Sequence, residues 1–329
     1  MPRPTPADRH VDGLLSNVGM AYLQDPGIYV ASRVFPMAPV PKQSDLYRKY
    51  SVNELLRLEA QEVAPGQAAP IDTASFSDES FFCQKYGLRD FLTPEDIAMD
   101  DGSIDPEELV VQQLMQAHRT KMERSWAANY FLQGVWGTDW AGVAAGPIAN
   151  QFLQLDATGA DPVETITQAK RAVFDNTGFM PNIAVVGGEI MDHLQTNAAI
   201  QDRIKYTGAR DGAVVTQQML AGLFGVGEVV IGQAIYNAGP EGGTANMTKI
   251  FGKSILLAYR TPSPSPRVPS AGYTFLWATP TDAPKGSQVV VRKVPRPSKG
   301  NRTDYEAIIY WDQKLTASDL GIFLRDVIS

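Results

Sequence analysis

The spacing of apolar and polar residues divides the chain into recognisable helices and strands. After Asp105-Pro106, apolar side chains recur at helical spacing, which predicts a long helix over residues 105–133 with Asp105 as its N-cap. Asp161 and Glu164 stand at the spacing of a capping box and predict the start of a second helix. The uninterrupted apolar run at 183–186 predicts a strand that is buried on both faces.

Residues 1–50 break this pattern, because they combine seven prolines with many large apolar side chains. A disordered tail would have little need for such side chains. Two interpretations follow. Either the segment packs on its own domain, or it is an arm that lies across a neighbouring subunit. The arm explains the composition better, since proline restricts an extended chain while the apolar groups supply contacts.

A long hairpin is predicted next, at residues 51–86. Its outgoing limb ends near Val63, its tip is the sequence PGQAAP, and its returning limb runs over 71–86 with imperfect strand alternation. The pattern alone indicates a plain surface hairpin. The candidates for contacts between subunits on this hairpin are Arg57, Glu59, Glu62, Phe76 and Phe82.

Composition narrows the class of protein. The chain has 329 residues, 44% of them hydrophobic, and a net charge of −7, which argues against a protein whose main task is to wrap phosphate backbones. Cys83 is the single cysteine, so neither an intrachain disulfide nor a cysteine-based zinc site is expected. No apolar run approaches the length that spans a bilayer, and no association with a membrane is expected.

Patterns that would indicate catalysis are incomplete. Gly252-Lys253-Ser254 ends like a phosphate-binding loop, but Met247 stands where that motif needs glycine and a strand follows instead of a helix. The three histidines, His10, His118 and His193, are not at metal-ligand spacing. We therefore expect no catalytic, cofactor-binding or metal-binding residues, and no enzymatic activity.

One local excess of positive charge stands out near the C-terminal end of the chain. Such a run is usually a solvated loop, although it could instead contact DNA or an acidic partner. Its members are Arg292, Lys293, Arg296, Lys299 and Arg302.

The order of elements between Asn176 and Ala278 resembles the axial domain of tailed-phage major capsid proteins, which have the Hong Kong 97 fold. In that family a helix leads to a Pro-Asn strand, a short helix ends in a Leu-Phe-Gly-Val turn, and three strands follow around a proline-rich connection. The corresponding residues here are Pro181-Asn182, Leu223–Val226, Val229–Asn237, Ser254–Tyr259 and Tyr273–Trp277.

The resemblance implies an α+β capsid fold with a long spine helix. It divides the chain into an N-terminal arm at 1–50, an extended loop at 51–86 that reaches over the adjacent subunit, a peripheral domain at 87–158 and 263–329, and an axial domain at 159–262. Some relatives cross-link a lysine of the extended loop to an asparagine of a neighbour. No lysine occurs between Ser51 and Gln84, so no such bond is expected at the tip.

The function implied is a shell subunit that assembles into the pentamers and hexamers of an icosahedral phage head. The implied partners are other copies of the chain, separate scaffolding, portal and cementing proteins, and packaged DNA bound on the inner face without sequence specificity. The implied location is the virion, and the host cytoplasm during assembly. The alternatives are an encapsulin-type compartment, which shares the fold, and a soluble α/β enzyme.

Overall fold

The computed structural model describes residues 26–50, 62–64, 66–67, 76–98, 105–206, 215–240, 242–263, 268–278 and 289–329. The helices of these residues are α1 (Ala31–Val34), α2 (Pro94–Ala98), α3 (Pro106–Tyr130), α4 (Pro162–Thr177), α5 (Gly188–Thr196), α6 (Ala198–Tyr206) and α7 (Gln217–Phe224). The strands are β1 (Met37–Val40), β2 (Ser44–Tyr50), β3 (Phe76–Phe82), β4 (Gln84–Leu92), β5 (Thr138–Val143), β6 (Gln151–Leu153), β7 (Ile183–Gly187), β8 (Glu228–Gly232), β9 (Ile235–Asn237), β10 (Met247–Lys249), β11 (Ile255–Ala258), β12 (Gly272–Trp277), β13 (Val289–Arg296), β14 (Arg302–Leu315) and β15 (Gly321–Arg325).

Helix α3 begins where the sequence predicts and ends earlier. The Asp105 carboxylate accepts a hydrogen bond from the amide of Glu107 and caps the helix. The helix ends at Tyr130 rather than at residue 133, because Phe131 leaves the helical path and packs edge-on against Phe323, with ring centroids 5.2 Å apart. The prediction of a long helix is confirmed, and its C-terminal boundary is corrected by three residues.

Helix α4 begins at the predicted N-cap and ends at a glycine. Asp161 accepts hydrogen bonds from the amides of Val163 and Glu164 at the N-terminus. Gly178 has φ 74° at the C-terminus, a left-handed conformation that costs glycine little. The Glu164 side chain accepts a hydrogen bond from Gln168 within the helix.

The described strands form two larger sheets. In the five-stranded sheet the order is β1-β12-β14-β13, and β4 also pairs with β14. In the six-stranded sheet the order is β6-β5-β15-β11-β7-β8. Two further pairs, β2–β3 and β9–β10, are separate two-stranded ribbons. Helices and sheets thus occur together in one mixed fold, as the α+β prediction requires.

The six-stranded sheet is covered on both faces, which explains the continuous apolar run of β7. Ala184 and Val186 pack with α4, α5 and α7 in one hydrophobic cluster. Ile183 and Val185 pack on the opposite side in a second cluster, which contains Trp126 of α3. Helix α3 therefore joins the two sheets, because its N-terminal half packs on β14 of the five-stranded sheet.

Strands from two of the predicted regions pair in one sheet. The predicted division placed 87–158 and 263–329 together in the peripheral domain, but β5, β6 and β15 are hydrogen-bonded into the same sheet as β7 and β11 of the predicted axial region. Main-chain hydrogen bonds assign these strands to the six-stranded sheet, although they are distant in sequence from β7 and β11. The six-stranded sheet therefore takes strands from both of the predicted regions.

The N-terminal segment packs on its own subunit over the residues that can be described. Val30, Val34 and Phe35 are fully buried, and β1 pairs in parallel with β12. Of the two interpretations of residues 1–50, packing on the chain's own domain describes residues 29–40. Residues 1–25 lie outside the described part of the chain.

Candidate assembly surfaces

The β2–β3 hairpin rests one face on its own subunit. Phe81 stacks on Phe275 of β12 with ring centroids 4.4 Å apart, and the Tyr47 hydroxyl donates a hydrogen bond of 2.7 Å to Glu79. Burial raises the pKa of Tyr47, and the bond from Tyr47 lowers the pKa of Glu79. Lys49 lies 3.3 Å from the same carboxylate. The inner face is therefore filled and its polar groups are paired.

The base of the hairpin is fixed by main-chain bonds around Cys83. The Cys83 amide donates to the Gln43 carbonyl at 2.8 Å, and the Phe82 amide donates to the Asp312 carboxylate at 2.9 Å. After Cys83 the chain leaves β2 and pairs with β14 as β4. The predicted returning limb is thus two strands with different partners, and hydrogen bonds to Gln43 and Asp312 connect the base of the hairpin to the rest of the subunit.

The outer face of the hairpin carries exposed apolar side chains. Strand alternation places Leu46, which is 64% exposed, and Phe82, which is 54% exposed, on this face as diagonal neighbours. The pair forms a small exposed apolar patch on a ribbon whose other face packs against the subunit. We name this surface, Leu46 with Phe82, the hairpin patch.

The candidates predicted on the hairpin are only partly brought together. Phe82 belongs to the hairpin patch, and Phe76 begins β3, but the Phe76 side chain is outside what the structure describes. Glu62 is exposed in a short described stretch. Arg57 and Glu59 lie outside the described residues. Leu46 was missed, because residues 44–50 (SDLYRKY) do not alternate regularly between apolar and polar side chains and so do not indicate a strand by themselves.

A second feature connects the N-terminal segment to both sheets. Glu123 of α3 is 1% exposed, and it accepts hydrogen bonds from the amides of Val30 at 2.7 Å and Ala31 at 2.8 Å. Burial raises the pKa of Glu123 to about 7. On the other side, Arg33 lies 3.4 Å from Glu228 of β8. We name residues 29–35 the clasp, because they contact β8 of the six-stranded sheet through Arg33 and β12 of the five-stranded sheet through the Phe35 carbonyl, which accepts a hydrogen bond from Thr274.

Glu123 was missed by the sequence analysis. The predicted apolar face of α3 includes Met122 and Trp126. A glutamate next to Met122 is expected to face solvent unless its hydrogen-bond partners are known. The one indication in the sequence was that Glu123 stands next to the apolar face of α3. On a helix that packs against two sheets, such a residue is removed from solvent together with that face.

The basic run near the C-terminal end is largely engaged within the subunit. Lys293 lies 2.6 Å from Glu107 of α3. Arg296 and Arg302 lie 3.3 and 2.9 Å from Asp304, which is 1% exposed. Arg296 donates a hydrogen bond to Oδ2 of Asp304, whereas Arg302 lies near Oδ1 without hydrogen-bond geometry, so these residues form an ion-pair network within the subunit. The Lys299 side chain is outside the described part.

Groups that could perform chemistry are dispersed. His118 is buried and its Nε2 lies 3.0 Å from the Ala307 carbonyl, a packing role, while His193 lies in α5 and His10 is outside the described residues. Burial raises the pKa of the Cys83 thiol to about 12. Within the described ranges there is no group of three or more His, Cys, Asp or Glu residues suited to a metal ion. No described helix has the length and hydropathy to cross a membrane.

Comparisons with known proteins point to one kind of fold. No family model matches the chain. The major capsid protein of Burkholderia phage BcepMu is 26% identical over 284 residues, covering 81% of this chain and 83% of that protein. A phage-related protein from Bordetella bronchiseptica RB50 has a TM-score of 0.69 at 20% identity, covering 96% of this chain and 97% of the other. The capsid structure of cyanophage P-SCSP1u gives 0.59 at 12% identity, over 92% and 89%.

These similarities extend over nearly the whole chain and not over one motif. The chain has the α+β fold of phage capsid proteins, of the Hong Kong 97 type. The resemblance to tailed-phage major capsid proteins that the sequence predicted is confirmed.

Proposed function

We propose that this chain is the major capsid protein of a tailed phage, a structural subunit that assembles with copies of itself into the shell of the head. The single observation that supports this most is the similarity to the BcepMu major capsid protein over 81% of the chain. The fold agrees with it, since the phage capsid structure P-SCSP1u matches over 92% of the chain. The role is structural and not enzymatic.

The hairpin patch is the proposed contact with the next subunit. Leu46 and Phe82 are exposed, although they stand on a ribbon whose other face is tightly packed. A rigid ribbon loses little conformational freedom when it binds, so its apolar side chains contribute most of their burial to the contact. Glu62 and, in the part of the hairpin outside the described residues, Arg57 and Glu59 would add ion pairs, each worth about 0–1 kcal/mol when exposed.

The division into regions is part of the same proposal. An N-terminal arm at 1–50 would include residues 29–40, which stay on their own subunit, so the part that reaches a neighbour would lie before the clasp. The extended loop would include 51–86, and the spine helix α3 would support the peripheral domain. The axial domain at 159–262, extended by β5, β6 and β15, would surround the five- and six-fold axes.

The remaining partners follow from a shell role. Pentamers and hexamers would require a portal at one vertex, separate scaffolding during assembly, and in the mature head a cementing protein where contacts are weak. Packaged DNA would lie on the inner face without sequence-specific contacts, in keeping with the net charge of −7. Assembly would take place in the host cytoplasm before the subunit becomes part of the virion.

Electron microscopy of the purified protein, together with assembly assays, tests the proposal. Shells or capsomers are expected from the parent chain, whereas a compact monomer or dimer under all assembly conditions would contradict it. Particles that enclose a protein cargo instead of DNA when isolated from the natural host would favour the encapsulin-type alternative.

A pair of matched variants tests the hairpin patch. Leu46→Asp is expected to leave a folded subunit that no longer assembles, because a charge would be buried without a partner at the contact. Leu46→Met keeps an apolar side chain of similar volume and is expected to assemble normally. Normal shells from Leu46→Asp would exclude this face as a subunit contact, while the proposed shell function would still stand.

A further inference from the structure

The side of the five-stranded sheet that faces away from α3 is rich in arginine over β4, β13 and β14. Tyr305 and Ala307 of β14 pack on α3, so strand alternation places Asp304 and Glu306 on the opposite side. Residues that pair with these positions on β4 and β13 share that side. We name this surface the basic face. Its charged members are Arg89, Arg292, Arg296, Arg302, Asp304 and Glu306.

The basic face has twice as many arginines as carboxylates. Asp304 is 1% exposed, and three guanidinium groups surround it. Its oxygens lie 3.6, 3.3 and 2.9 Å from nitrogens of Arg89, Arg296 and Arg302. One carboxylate balances only one of these charges, so the cluster keeps a net positive charge. The side chains of Arg89 and Arg296 are 54% and 45% exposed, and their outer N–H groups can donate to a ligand.

An aromatic side chain stands within the basic face. Phe91 pairs with Asp304 across the strands and is 43% exposed, and the Arg302 guanidinium lies over its ring, 4.4 Å from the centroid. Arginine and phenylalanine are enriched where proteins contact one another. The guanidinium groups also converge on one point, whereas the phosphates of a duplex follow a line. These features favour an acidic protein surface over DNA as the ligand.

The hairpin of the same sequence carries the complementary charge. Between residues 51 and 79, Arg57 is the single basic residue, against six acidic ones. Glu79 is engaged by Tyr47 and Lys49, whereas Asp78 is exposed and shares the outer face of β3 with Phe82 of the hairpin patch. The six acidic residues are Glu54, Glu59, Glu62, Asp72, Asp78 and Glu79.

The hairpin of each subunit is anchored beside its own basic face. Phe81 rests on Phe275 of β12, and Asp312, which pairs with Phe275, accepts the hydrogen bond from the Phe82 amide. Asp312 lies on the same side of β14 as Asp304, so the base of the hairpin takes up the part of the sheet next to the basic face. The outer face of the hairpin is turned away from this sheet and is open to another copy.

We propose that the basic face binds the acidic hairpin of a second copy of this chain. The exposed guanidinium groups pair with hairpin carboxylates, and Phe91 packs against the apolar side chains beside them. The hairpin and the basic face are different surfaces, so the contact is head-to-tail: each subunit gives one hairpin and receives one, as a closed ring requires. This inference rests on the proposed shell function and names the surface that receives the hairpin.

Zero-length cross-linking tests the contact. Arg89→Lys places an amine on the basic face, and a carbodiimide joins an amine to a carboxylate in contact with it as an amide. Isotope-labelled and unlabelled full-length chains, mixed before association, show by mass spectrometry which amides connect two copies. We expect the new amine to be linked to residues 51–79 of the other copy. Arg171→Lys, at an exposed position of α4, is the matched control and should give no such link.

Neutral variants measure the strength of the contact. Arg89→Gln should raise the concentration needed for association about two- to fivefold, the effect of one exposed ion pair, and Arg171→Gln should leave it unchanged. If Arg89→Lys does not fold, Lys85 on the same side of β4 supplies the amine in the parent chain. Links only to carboxylates outside 51–79 would overturn the inference. So would an amine that is protected from acetylation only in DNA-filled heads, which would assign the basic face to DNA.

The inference and the shell function can fail separately. Shells that form without a link between the hairpin and the basic face contradict the inference alone. Links between copies that never close into shells contradict the shell function alone. A chain that does not associate at any concentration contradicts both.

Discussion

Phe81 and Phe82 are adjacent in β3, and shortening each to alanine should affect a different property of the protein. Phe81 is 5% exposed and stacks on Phe275 with an interplanar angle of 17°, whereas Phe82 is 54% exposed on the hairpin patch. The same substitution at neighbouring positions therefore tests the inner and the outer face separately. Phe81→Ala should weaken the folded subunit, and Phe82→Ala should weaken assembly.

The magnitudes follow from burial. Removing a buried phenylalanine costs about 3–5 kcal/mol, and the lower end applies to Phe81 because a two-stranded ribbon can partly close over the vacated space. Phe82 loses no intramolecular packing of that kind, so its effect on the free energy of unfolding should stay within about 0.5 kcal/mol. Phe82→Leu is the matched control, since it keeps an apolar side chain at the patch.

Chemical denaturation of the unassembled subunits, followed by tryptophan fluorescence, measures the first effect. Sedimentation or electron microscopy under assembly conditions measures the second. We expect Phe81→Ala to unfold at clearly lower denaturant, and Phe82→Ala to unfold with the parent but to form fewer shells than Phe82→Leu. Equal destabilisation by both alanine variants, or full assembly of Phe82→Ala, would refute the assignment of the two faces.

Three further outcomes are expected. Because the pKa of Glu123 is raised to about 7 in the folded chain, its ionisation opposes folding: the stability is complete below the ordinary carboxyl pKa and is lost as the pH rises through 7. Glu123→Gln should thus lack this loss between pH 5 and pH 8, and it should be less stable than the parent at pH 5, because its side-chain oxygen accepts from only one of the two main-chain N–H groups; an equal loss in both chains would contradict this. Gly225 has φ 59° at the end of α7, and a Cβ there would lie 3.0 Å from the Lys170 amine. Gly225→Ala should therefore reduce the free energy of unfolding by about 1 kcal/mol or more and lower the melting temperature. An unchanged melting temperature would contradict this. Mature particles boiled in detergent should run as single subunits, since no lysine lies between residues 51 and 84, and a ladder that resists reductant would show the opposite.

Helix starts were predictable because their signals are local. Asp105 and Asp161 accept amide hydrogen bonds two or three residues ahead, so sequence spacing alone places them. The buried strand β7 was equally clear, since a strand covered on both faces has no polar alternation to hide it.

The predictions that differ from the structure concern partners far apart in sequence. The change of partner at Cys83, from β2 to β14, leaves the local strand pattern intact, and so the returning limb looked continuous. The apolar groups of 29–35 were recognised, but their contact with Trp126 and with β7 comes from tertiary packing. Glu123 was hidden for the same reason, because its amide partners are about ninety residues away in sequence.

The position of β15 has a consequence for biosynthesis. This strand lies between β5 and β11, in parallel with the first and antiparallel to the second. Until residues 321–325 have emerged from the ribosome, β5–β6 and β11–β7–β8 are two ribbons with open edges, and the nascent chain has no complete six-stranded sheet. Its final tertiary fold must therefore form after most of the polypeptide has been translated, and during that interval the unpaired edges need protection from other growing chains.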